Sequence, residues 1–573
     1  TAEMLEMNRR LEKGIPGAPQ TRISFAGDFF DRLEQSLQGR ELPVWSGEYY
    51  FEYHRGVFTS QGRIKRNNRQ AEFANLTAET LASLACLTTG ADYPADRLHH
   101  CWELTLLNQF HDILPGSALG EVYRDAEAQY KEIFAADQAI VDSAAGAIAA
   151  RLHTGAPGVV VFNPLGFVRD PVISLPWPEP AAACDNGVPL PSHWQDGTLT
   201  FTAAALPAKG WKWFAVGAPT EAATALVEGD IIDTPLYRIR LTPRGGLASL
   251  FDKQAGRELI QPGREGNELQ LFDDHPEEYD AWNIDKSYRE RRYPLEEPAR
   301  ISLLENSPVR CRLLIRRSIS RSTLEQELVL YPHSRRIDFA TRIDWHDRHV
   351  LLKVAFPLDI HCERAQYDIQ FGSIGRDTHH NTSWDAARFE VCGHKWADLS
   401  EPGYGAALLN DGRYGYDVQD GVLRLSLLRG STYPDPEADQ GLHRFTYSLL
   451  PHEGDWRTGG VIPAAYDLNA PAPALALAAQ PEGTLPAEAS LFGVSAPNVV
   501  LETVKQAEDG NGFILRLFES WGMRTRAALR LPDGWTARPV TPMEEPLAED
   551  VPAEEFRPFA LRSFRVVPAF EQN

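Results

Sequence analysis

The stretch LTLLNQFHDILPGSALGEVYRDAEAQYKEI, residues 104–133, joins two segments of apolar periodicity across a Pro-Gly pair. Pro115 disfavours helical geometry at Leu114, so a helix over roughly residues 94–114 is predicted to end there. Ser117 is a residue type that caps helices, and it predicts that the next helix begins beside it. A third apolar pattern precedes both in NRQAEFANLTAETLASLACL, residues 68–87. Three long helices with short connections predict an antiparallel bundle.

Three polar residues interrupt this apolar run, namely Asn108, His111 and Asp112. On a helix their spacing of i, i+3 and i+4 would place them on one face. One interpretation is chemical, because a neutral imidazole is a good zinc ligand and a neighbouring carboxylate can hold a sugar hydroxyl. The other is structural, because isolated polar residues usually cap or brace a helix end such as the one near Pro115. Spacing alone leaves both interpretations open.

After residue 153 the apolar period changes to two, which indicates β-strands. Strand-like segments are VVVFNP (159–164), YRIRLTP (237–243), RCRLLIRRSISR (310–321) and RRIDFATRIDW (335–345). The Gly-Gly and Asp-Lys pairs of PRGGLASLFDKQAG, residues 243–256, are typical of hairpins. Strands recur to the end without long helices, which predicts large antiparallel sandwiches. APAPALALAAQPEG (470–483) is predicted to be a surface connection, and RISFAGDFFDRLEQSLQG (22–39) a short strand followed by a helix.

Length, charge and cysteine usage restrict the class of protein. A chain of 573 residues exceeds one hydrophobic core and predicts three or more domains. A net charge of −22 argues against nucleic acid or an anionic membrane as a partner, since both need a basic surface. No apolar run approaches the roughly 18 residues of a membrane span. The scattered cysteines predict reduced thiols and a cytoplasmic location; they are Cys86, Cys101, Cys184, Cys311, Cys362 and Cys392.

Several long motifs resemble one family. Residues 104–133 resemble the helix-bundle signature of family 38 glycoside hydrolases, the retaining α-mannosidases. GEYYFEYHRGVFTSQGRIKRNNRQAE (47–72) resembles the segment that closes the active site in their bacterial, vacuolar and cytosolic branch. Three further segments resemble the β-domains of that branch, namely LQLFDDHPEEYDAWNID (269–285), NTSWDAARFEVCGHKWADLSEPGYGAALLNDGRYGYDV (381–418) and PDPEADQGLHRFTYSLLPH (434–452).

The resemblance implies a multidomain α+β protein that hydrolyses terminal α-linked mannose from oligosaccharides or glycans. The expected domains are the end of an α/β catalytic domain (1–60), a three-helix bundle (61–153), a small β domain (154–226), a large β-sandwich (227–470) and a C-terminal β domain (471–573). The expected substrate is an α-mannoside oligosaccharide, and long sandwich edges leave room for a homo-oligomer.

The resemblance also implies roles for individual residues. His111 matches a ligand of the active-site metal, which is typically zinc, and Asp112 matches the contact to the hydroxyls of the bound mannose. Glu48 stands where other branches carry the general acid/base, with a solvated loop residue as the alternative. Tyr53 and Arg55, with the intervening His54, either line the same pocket or serve packing and salt bridges. We expect His111 and Asp112 at a concave junction of the bundle, residues 40–60 and the β-domains.

Some of the family's catalytic motifs have no counterpart in this sequence. The motif that supplies the first His and Asp metal ligands does not occur, and neither does the motif of the nucleophilic Asp. The resemblance therefore implies the C-terminal portion of an α-mannosidase. A retaining glycosidase needs two carboxyl groups about 5–5.5 Å apart. We therefore expect the chain alone to be inactive and its zinc site to be incomplete.

The alternative to an enzyme is a non-catalytic carbohydrate-binding or structural β-sandwich module. Asp280, Trp282 and Asp285 could form an aromatic-acidic rim for a sugar, or a turn around a buried Trp. The histidines of WHDRH (345–349) and RDTHHN (376–381) do not have the spacing of a common metal site; they are His346, His349, His379 and His380. No G-x-S-x-G, P-loop or dinucleotide fingerprint occurs.

Overall fold

The computed structural model describes residues 1–219, 226–547 and 554–569. The chain divides into two compact units, residues 1–50 and residues 51–573. The N-terminal unit contains two helices, α1 (Ala2–Glu12) and α2 (Ala26–Leu37), and none of its residues is buried. The strand expected near residue 22 does not form, so that prediction is wrong. A short extended segment with no partner strand has nothing to hold it in a ladder.

The second unit begins with the predicted helix bundle. Its long helices are α3 (Gly62–Thr89), α4 (Ala95–Asn108) and α5 (Gly120–Ala149), and two short helices follow later, α6 (Ser383–Ala387) and α7 (Val461–Asn469). The bundle buries apolar positions of all three helices, among them Leu81, Leu98 and Ile148. The same core includes Leu501 and Leu515 of the C-terminal β region, so the bundle packs on that region. No helix in the described part of the chain is long and apolar enough to cross a membrane.

The strands of the described residues are numerous, and their lengths range from 2 to 13 residues. Before residue 230 they are β1 Gly158–Asn163, β2 Val172–Pro176, β3 Ala182–Asp185, β4 Val188–Pro189, β5 Ser192–Gln195, β6 Thr198–Thr202, β7 Gly210–Gly217 and β8 Leu226–Glu228. Between residues 231 and 345 they are β9 Ile231–Asp233, β10 Tyr237–Leu241, β11 Leu247–Asp252, β12 Arg257–Glu258, β13 Glu268–Asp273, β14 Arg292–Tyr293, β15 Arg300–Asn306, β16 Cys311–Ile319, β17 Ser322–Tyr331 and β18 Ser334–Trp345.

The remaining strands complete the large sheets and the C-terminal region. From residue 350 to 453 they are β19 Val350–Pro357, β20 Arg364–Ile369, β21 Gly372–Asp377, β22 Val391–Cys392, β23 Trp396–Glu401, β24 Tyr404–Asn410, β25 Gly415–Gln419, β26 Val422–Arg429 and β27 Gly441–Glu453. The last are β28 Ala474–Leu477, β29 Glu488–Ser490, β30 Gly493–Val494, β31 Val499–Gln506, β32 Phe513–Glu519, β33 Thr525–Arg526, β34 Leu529–Arg530, β35 Trp535–Val540, β36 Glu555–Phe556 and β37 Leu561–Pro568.

Two of the sheets form the large sandwich. A nine-stranded antiparallel sheet has the order β15-β16-β17-β18-β27-β24-β23-β20-β21, and a six-stranded sheet has the order β14-β13-β19-β26-β25-β22. Phe339 of the first sheet lies 5.8 Å, centroid to centroid, from Phe356 of the second. Tyr447 of the first sheet contacts both rings, at 5.1 and 6.3 Å. The two sheets therefore pack face to face through apolar rings, as the alternating pattern predicts. The predicted fold class is confirmed.

Three local expectations are wrong. Helix α4 ends at Asn108, six residues before Leu114. Pro115 disfavours helix close to itself but does not require the residues before that to be helical, and at the end of α4 the Asn108 Nδ2 donates to the Leu104 carbonyl at 2.9 Å. Ser117 does not cap α5, whose N-cap residue is Leu119 with no side-chain hydrogen bond. Residues 470–483 are more than a connection, because β28 pairs with β1. The domain boundaries given above stay predictions.

Candidate functional site

The segment from Phe110 to Ser117, here called the FHD turn, follows the end of α4. The Ile113 amide donates to the Phe110 carbonyl at 2.9 Å, and the Gly116 amide donates to the Ile113 carbonyl at 3.1 Å. The Ser117 amide closes the turn on the Asp112 carbonyl at 3.1 Å. His111 and Asp112 therefore lie in a hydrogen-bonded turn, and the shared helical face expected from their spacing does not exist.

The turn nevertheless brings the His and Asp side chains together. His111 Nε2 lies 3.5 Å from Asp112 Oδ2, and the two side chains are 75% and 47% exposed. Asp112 Oδ1 accepts a hydrogen bond from the Ser117 hydroxyl at 2.9 Å, which fixes the carboxylate plane. The ring of Phe110 lies 4.3 Å from the imidazole, centroid to centroid. An exposed imidazole and a half-exposed carboxylate oxygen can both reach a ligand.

Buried side chains and a close backbone contact hold the FHD turn in place. The Tyr123 hydroxyl accepts from the Ala118 amide at 2.7 Å and donates to the Asp112 carbonyl at 3.2 Å. Gly116 adopts φ +92°, and a Cβ there would come within 2.4 Å of the Ser60 carbonyl oxygen. Lys65 Nζ donates to the Leu114 and Pro115 carbonyls at 2.9 and 3.2 Å. The turn is thus fixed to the start of α3.

Residues 51–61, here called the 51–61 loop, connect to this anchor. Arg55 is buried, and its Nη2 and Nε donate to the Ala387 carbonyl at 2.9 and 3.2 Å. Its guanidinium also lies 4.4 Å from the centroid of the Phe389 ring. These contacts support the packing alternative for Arg55.

The two residues before Arg55 have different surroundings. Tyr53 is 54% exposed, has a left-handed backbone at φ +61°, and meets Tyr279 edge-on at 5.7 Å. His54 stacks on Phe51 at 4.0 Å, and its Nδ1 lies 3.2 Å from the Glu52 carbonyl oxygen. Tyr53 therefore presents its ring to solvent beside a second exposed tyrosine.

A buried arginine, which the sequence did not single out, lies under the loop. Arg429 Nε donates to Asp274 Oδ2 at 2.7 Å, and its Nη1 donates to the Ser60 hydroxyl at 3.2 Å and the Ala281 carbonyl at 3.1 Å. Burial raises the pKa of the Asp274 carboxyl, and the Arg429 charge opposes that rise. No local pattern identifies this pair, because Asp274 and Arg429 are far apart in the sequence.

The acidic residues near Trp282 serve turns. Asp280 Oδ2 accepts from the Thr432 amide at 2.8 Å and the Tyr433 amide at 3.1 Å. Asp285 Oδ2 accepts from the Glu277 amide at 2.8 Å. Trp282 is half-buried. These hydrogen bonds support the turn interpretation over an acidic rim, whereas the exposed rings nearby belong to Tyr279 and Tyr433.

Comparison with known protein families identifies three regions of the chain. Residues 52–148 match the model of the alpha mannosidase middle domain, 232–437 the glycosyl hydrolases family 38 C-terminal domain, and 498–564 the family 38 C-terminal beta sandwich domain. The chain belongs to glycoside hydrolase family 38. The FHD turn and all but the first residue of the 51–61 loop fall within the matched middle domain.

Curated relatives agree with this membership, and a solved structure shares the fold. Human alpha-mannosidase 2C1 is 37% identical over 93% of this chain and 50% of its own length. Alpha-mannosidase G of Dictyostelium discoideum is 33% identical over 90% of this chain and 51% of its own. The chain thus spans about half the length of these curated relatives. An alpha-mannosidase from Enterococcus faecalis V583 shares the fold, with a TM-score of 0.82 at 18% identity over 99% of this chain and 74% of that one.

The acid candidate of this family 38 chain, Glu48, lies in the N-terminal unit. Its side chain is partly exposed, and its backbone carbonyl accepts from Trp45 Nε1 at 3.3 Å. Its role, and the expectation of a concave junction around His111 and Asp112, stay predictions.

The family implies a divalent metal, and the residues can be tested for one. In residues 1–219, 226–547 and 554–569, no group of three or more His, Cys, Asp and Glu side chains could hold a metal ion. His346 contacts Asp344 at 3.1 Å, and His379 lies 3.6 Å from Asp385 and 4.0 Å from Asp377. The FHD turn offers one imidazole beside one carboxylate. A catalytic zinc normally has three protein ligands, so the described residues do not by themselves fit a complete metal centre.

Proposed function

We propose that this chain forms part of a retaining α-mannosidase that removes terminal α-linked mannose from oligosaccharides or glycans. One observation carries the proposal. In a chain of family 38, an exposed His–Asp pair stands on a turn that buried groups hold in place. A binding or catalytic site requires a rigid backbone beneath its exposed polar groups, because productive geometry tolerates only small displacements of those side chains.

The proposal gives Asp112 the contact to the sugar. Its Oδ1 already accepts the Ser117 proton, so Oδ2 is the oxygen that can accept from a mannose hydroxyl. Tyr53 and Tyr279 would offer an aromatic edge to the apolar face of a sugar ring, since both rings are more than half exposed. Arg55 would act at a distance, by holding the 51–61 loop against the large sandwich.

Retaining hydrolysis needs two carboxyl groups, one as nucleophile and one as acid and then base. Glu48 is the proposed acid/base of this chain. We propose that the nucleophile comes from outside residues 1–573, so that the chain alone does not turn over substrate. The metal, zinc or another divalent ion, would supply charge stabilisation at the sugar hydroxyls when bound. His111 would be the one ligand that this chain provides, through an exposed ring nitrogen.

The cellular setting belongs to the same proposal. None of the six cysteines forms a disulfide bond, which supports the reducing, cytoplasmic location predicted from their scatter. A homo-oligomer also stays a proposal. The alternative of a non-catalytic carbohydrate-binding module would need the same sugar contacts without turnover by any longer form of the polypeptide.

The test compares two proteins. The first is the 573-residue chain, which we expect not to hydrolyse an aryl α-mannoside. The second is the polypeptide as translated in its own organism, which we expect to do so. In that second protein His111→Ala and Asp112→Asn should each abolish most turnover, whereas Lys131→Met on α5 should not. A native polypeptide without α-mannosidase activity, or full activity in both site variants, would refute the proposal.

A further inference from the structure

The buried amine of Lys65 links two segments that are distant in the sequence. Its side chain lies on the first turn of α3, and the residue is 2% exposed. Nζ donates to the Ser60 carbonyl at 2.5 Å, at the end of the 51–61 loop, and to the Leu114 and Pro115 carbonyls of the FHD turn at 2.9 and 3.2 Å. Three carbonyl acceptors match the three protons of an ammonium group.

We propose that Lys65 is a positioning residue that locks the FHD turn onto the 51–61 loop and thereby sets the direction of His111 and Asp112. The effect on catalysis rests on the proposed function, whereas the effect on the turn does not.

A general role in folding would not require this geometry. An aliphatic side chain could fill the same space, and burial of the amine has a cost, since desolvation lowers the pKa of Lys65 to about 7. The charged neighbours act in opposite directions, because Asp439 favours the charged amine whereas Arg413 and Arg429 disfavour it. The amine is therefore held by neutral carbonyls, and those carbonyls belong to the two segments that frame the candidate site.

A close backbone approach depends on the same contact. Gly116 packs against Ser60 so closely that no side chain fits between them. Lys65 bonds Ser60 on one side of this approach and Pro115 on the other. Removal of the amine would leave the approach without a polar link, and the turn could then move away from the loop while α3 and α5 stay packed.

Hydrogen–deuterium exchange of the 573-residue chain, read by mass spectrometry, tests the lock without any substrate. In the Lys65→Met variant at about pH 6, where an amine with a pKa of about 7 is mostly charged in the wild type, the amides of Ile113, Gly116 and Ser117 should exchange about tenfold faster or more, because hydrogen bonds to a charged group are among the stronger ones. Amides in the middle of α3 and α5 should keep their rates. Lys131→Met, an exposed lysine of α5, is the matched control and should change neither region.

Each result decides the proposal. Unchanged exchange in the FHD turn, or an equal acceleration throughout the bundle, would overturn it. Lys65→Arg keeps donors and should restore roughly half or more of the lost protection. If the Met variant does not fold, the wild-type chain still decides, since Gly116 and Ser117 amides that exchange at the rate of an unstructured peptide would exclude a lock. In a catalytically active polypeptide, Lys65→Met should lower kcat/KM for an aryl α-mannoside, and its failure there alone would count against the proposed function.

Discussion

A methyl group at position 116 should dislodge the FHD turn. Gly116 has φ +92°, and a Cβ would lie 2.4 Å from the carbonyl oxygen of Ser60, 2.7 Å from its carbonyl carbon and 2.8 Å from its Cβ. Two of these atoms are backbone, and the Ser60 carbonyl also accepts from the buried Lys65 amine. The neighbour therefore cannot give way by a simple side-chain rotation, and Gly116→Ala must move either the turn or the start of α3.

The size of the effect follows from two parts. A left-handed backbone with a Cβ costs about 1–2 kcal/mol, and an overpacked contact adds about 1–3 kcal/mol. Gly116→Ala should therefore lower the free energy of unfolding by about 2–5 kcal/mol. Gly90→Ala measures the backbone cost without the overpacking cost. Gly90 has φ +73° but nothing within 4 Å of a Cβ, so this substitution should cost only about 1–2 kcal/mol. Gly146 lies inside α5 with equal space, and Gly146→Ala should stabilise by about 0.5–1 kcal/mol.

The assay is urea unfolding of the helix bundle, and hydrogen exchange of peptides from residues 62–149 is the probe that monitors it. A bundle-specific probe is needed because a chain with several domains need not unfold in one step. The three alanine variants should fall in the order Gly146, Gly90, Gly116 from most to least stable. Equal stability of the Gly90 and Gly116 variants would refute the reasoning, since it would mean that the contact with Ser60 carries no cost.

Three further predictions concern single side chains. Burial raises the pKa of Glu79 from its usual 4.5 to about 7, so the folded chain binds more protons than the unfolded chain in this window and stability falls as the pH rises through it. Glu79→Gln can still accept the hydrogen bond from Trp102 Nε1. At pH 8 its free energy of unfolding, measured with urea, should therefore exceed that of the wild type by about 1–3 kcal/mol, whereas at pH 4.5 it should not. An equal change at both pH values would contradict this. Isothermal titration of the 573-residue chain with zinc should find no tight one-to-one site, because affinity comes from several deprotonated ligands; a submicromolar site that His111→Ala abolishes would show otherwise. In an active polypeptide, Glu48→Gln should impair mannosides with poor leaving groups far more than activated aryl ones, since an easily departing group needs less protonation; equal losses would exclude Glu48 as the acid.

Periodicity predicted the large elements because it reflects burial over many residues. The apolar spacing along α3 and α5 required one buried face, and the alternation along β16, β17 and β18 required a sandwich. Single residues near element ends were less informative. Pro115 indicated a boundary, but the helix ends six residues before Leu114, at Asn108, whose side chain donates to the Leu104 carbonyl. Ser117 matched the composition of a cap and instead donates to Asp112.

The candidate site shows the same division between residue type and position. Sequence motifs identified His111 and Asp112, which do lie together, although through a turn and not through a helical face. The buried charges around them were not identified. Asp439 accepts from the Gln61 and Gly62 amides across more than 370 residues of sequence. Contacts of that separation leave no periodic pattern within a single chain, so only the structure reveals them.

Those buried charges bear on why the site is built as it is. Asp439 binds the first amides of α3, Lys65 binds the turn, and Arg429 binds Ser60 and Ala281, so three charged groups converge on one short segment between the loop and α3. Buried charges are weak sources of stability, because desolvation offsets most of their attraction, and apolar residues of equal volume often serve as well. Their benefit lies in direction, since a hydrogen bond fixes an angle that an apolar contact leaves free. We infer that these charged groups serve mainly to fix the backbone geometry here and contribute little to stability. The exposed His–Asp pair can keep one orientation because the backbone beneath it is held in place.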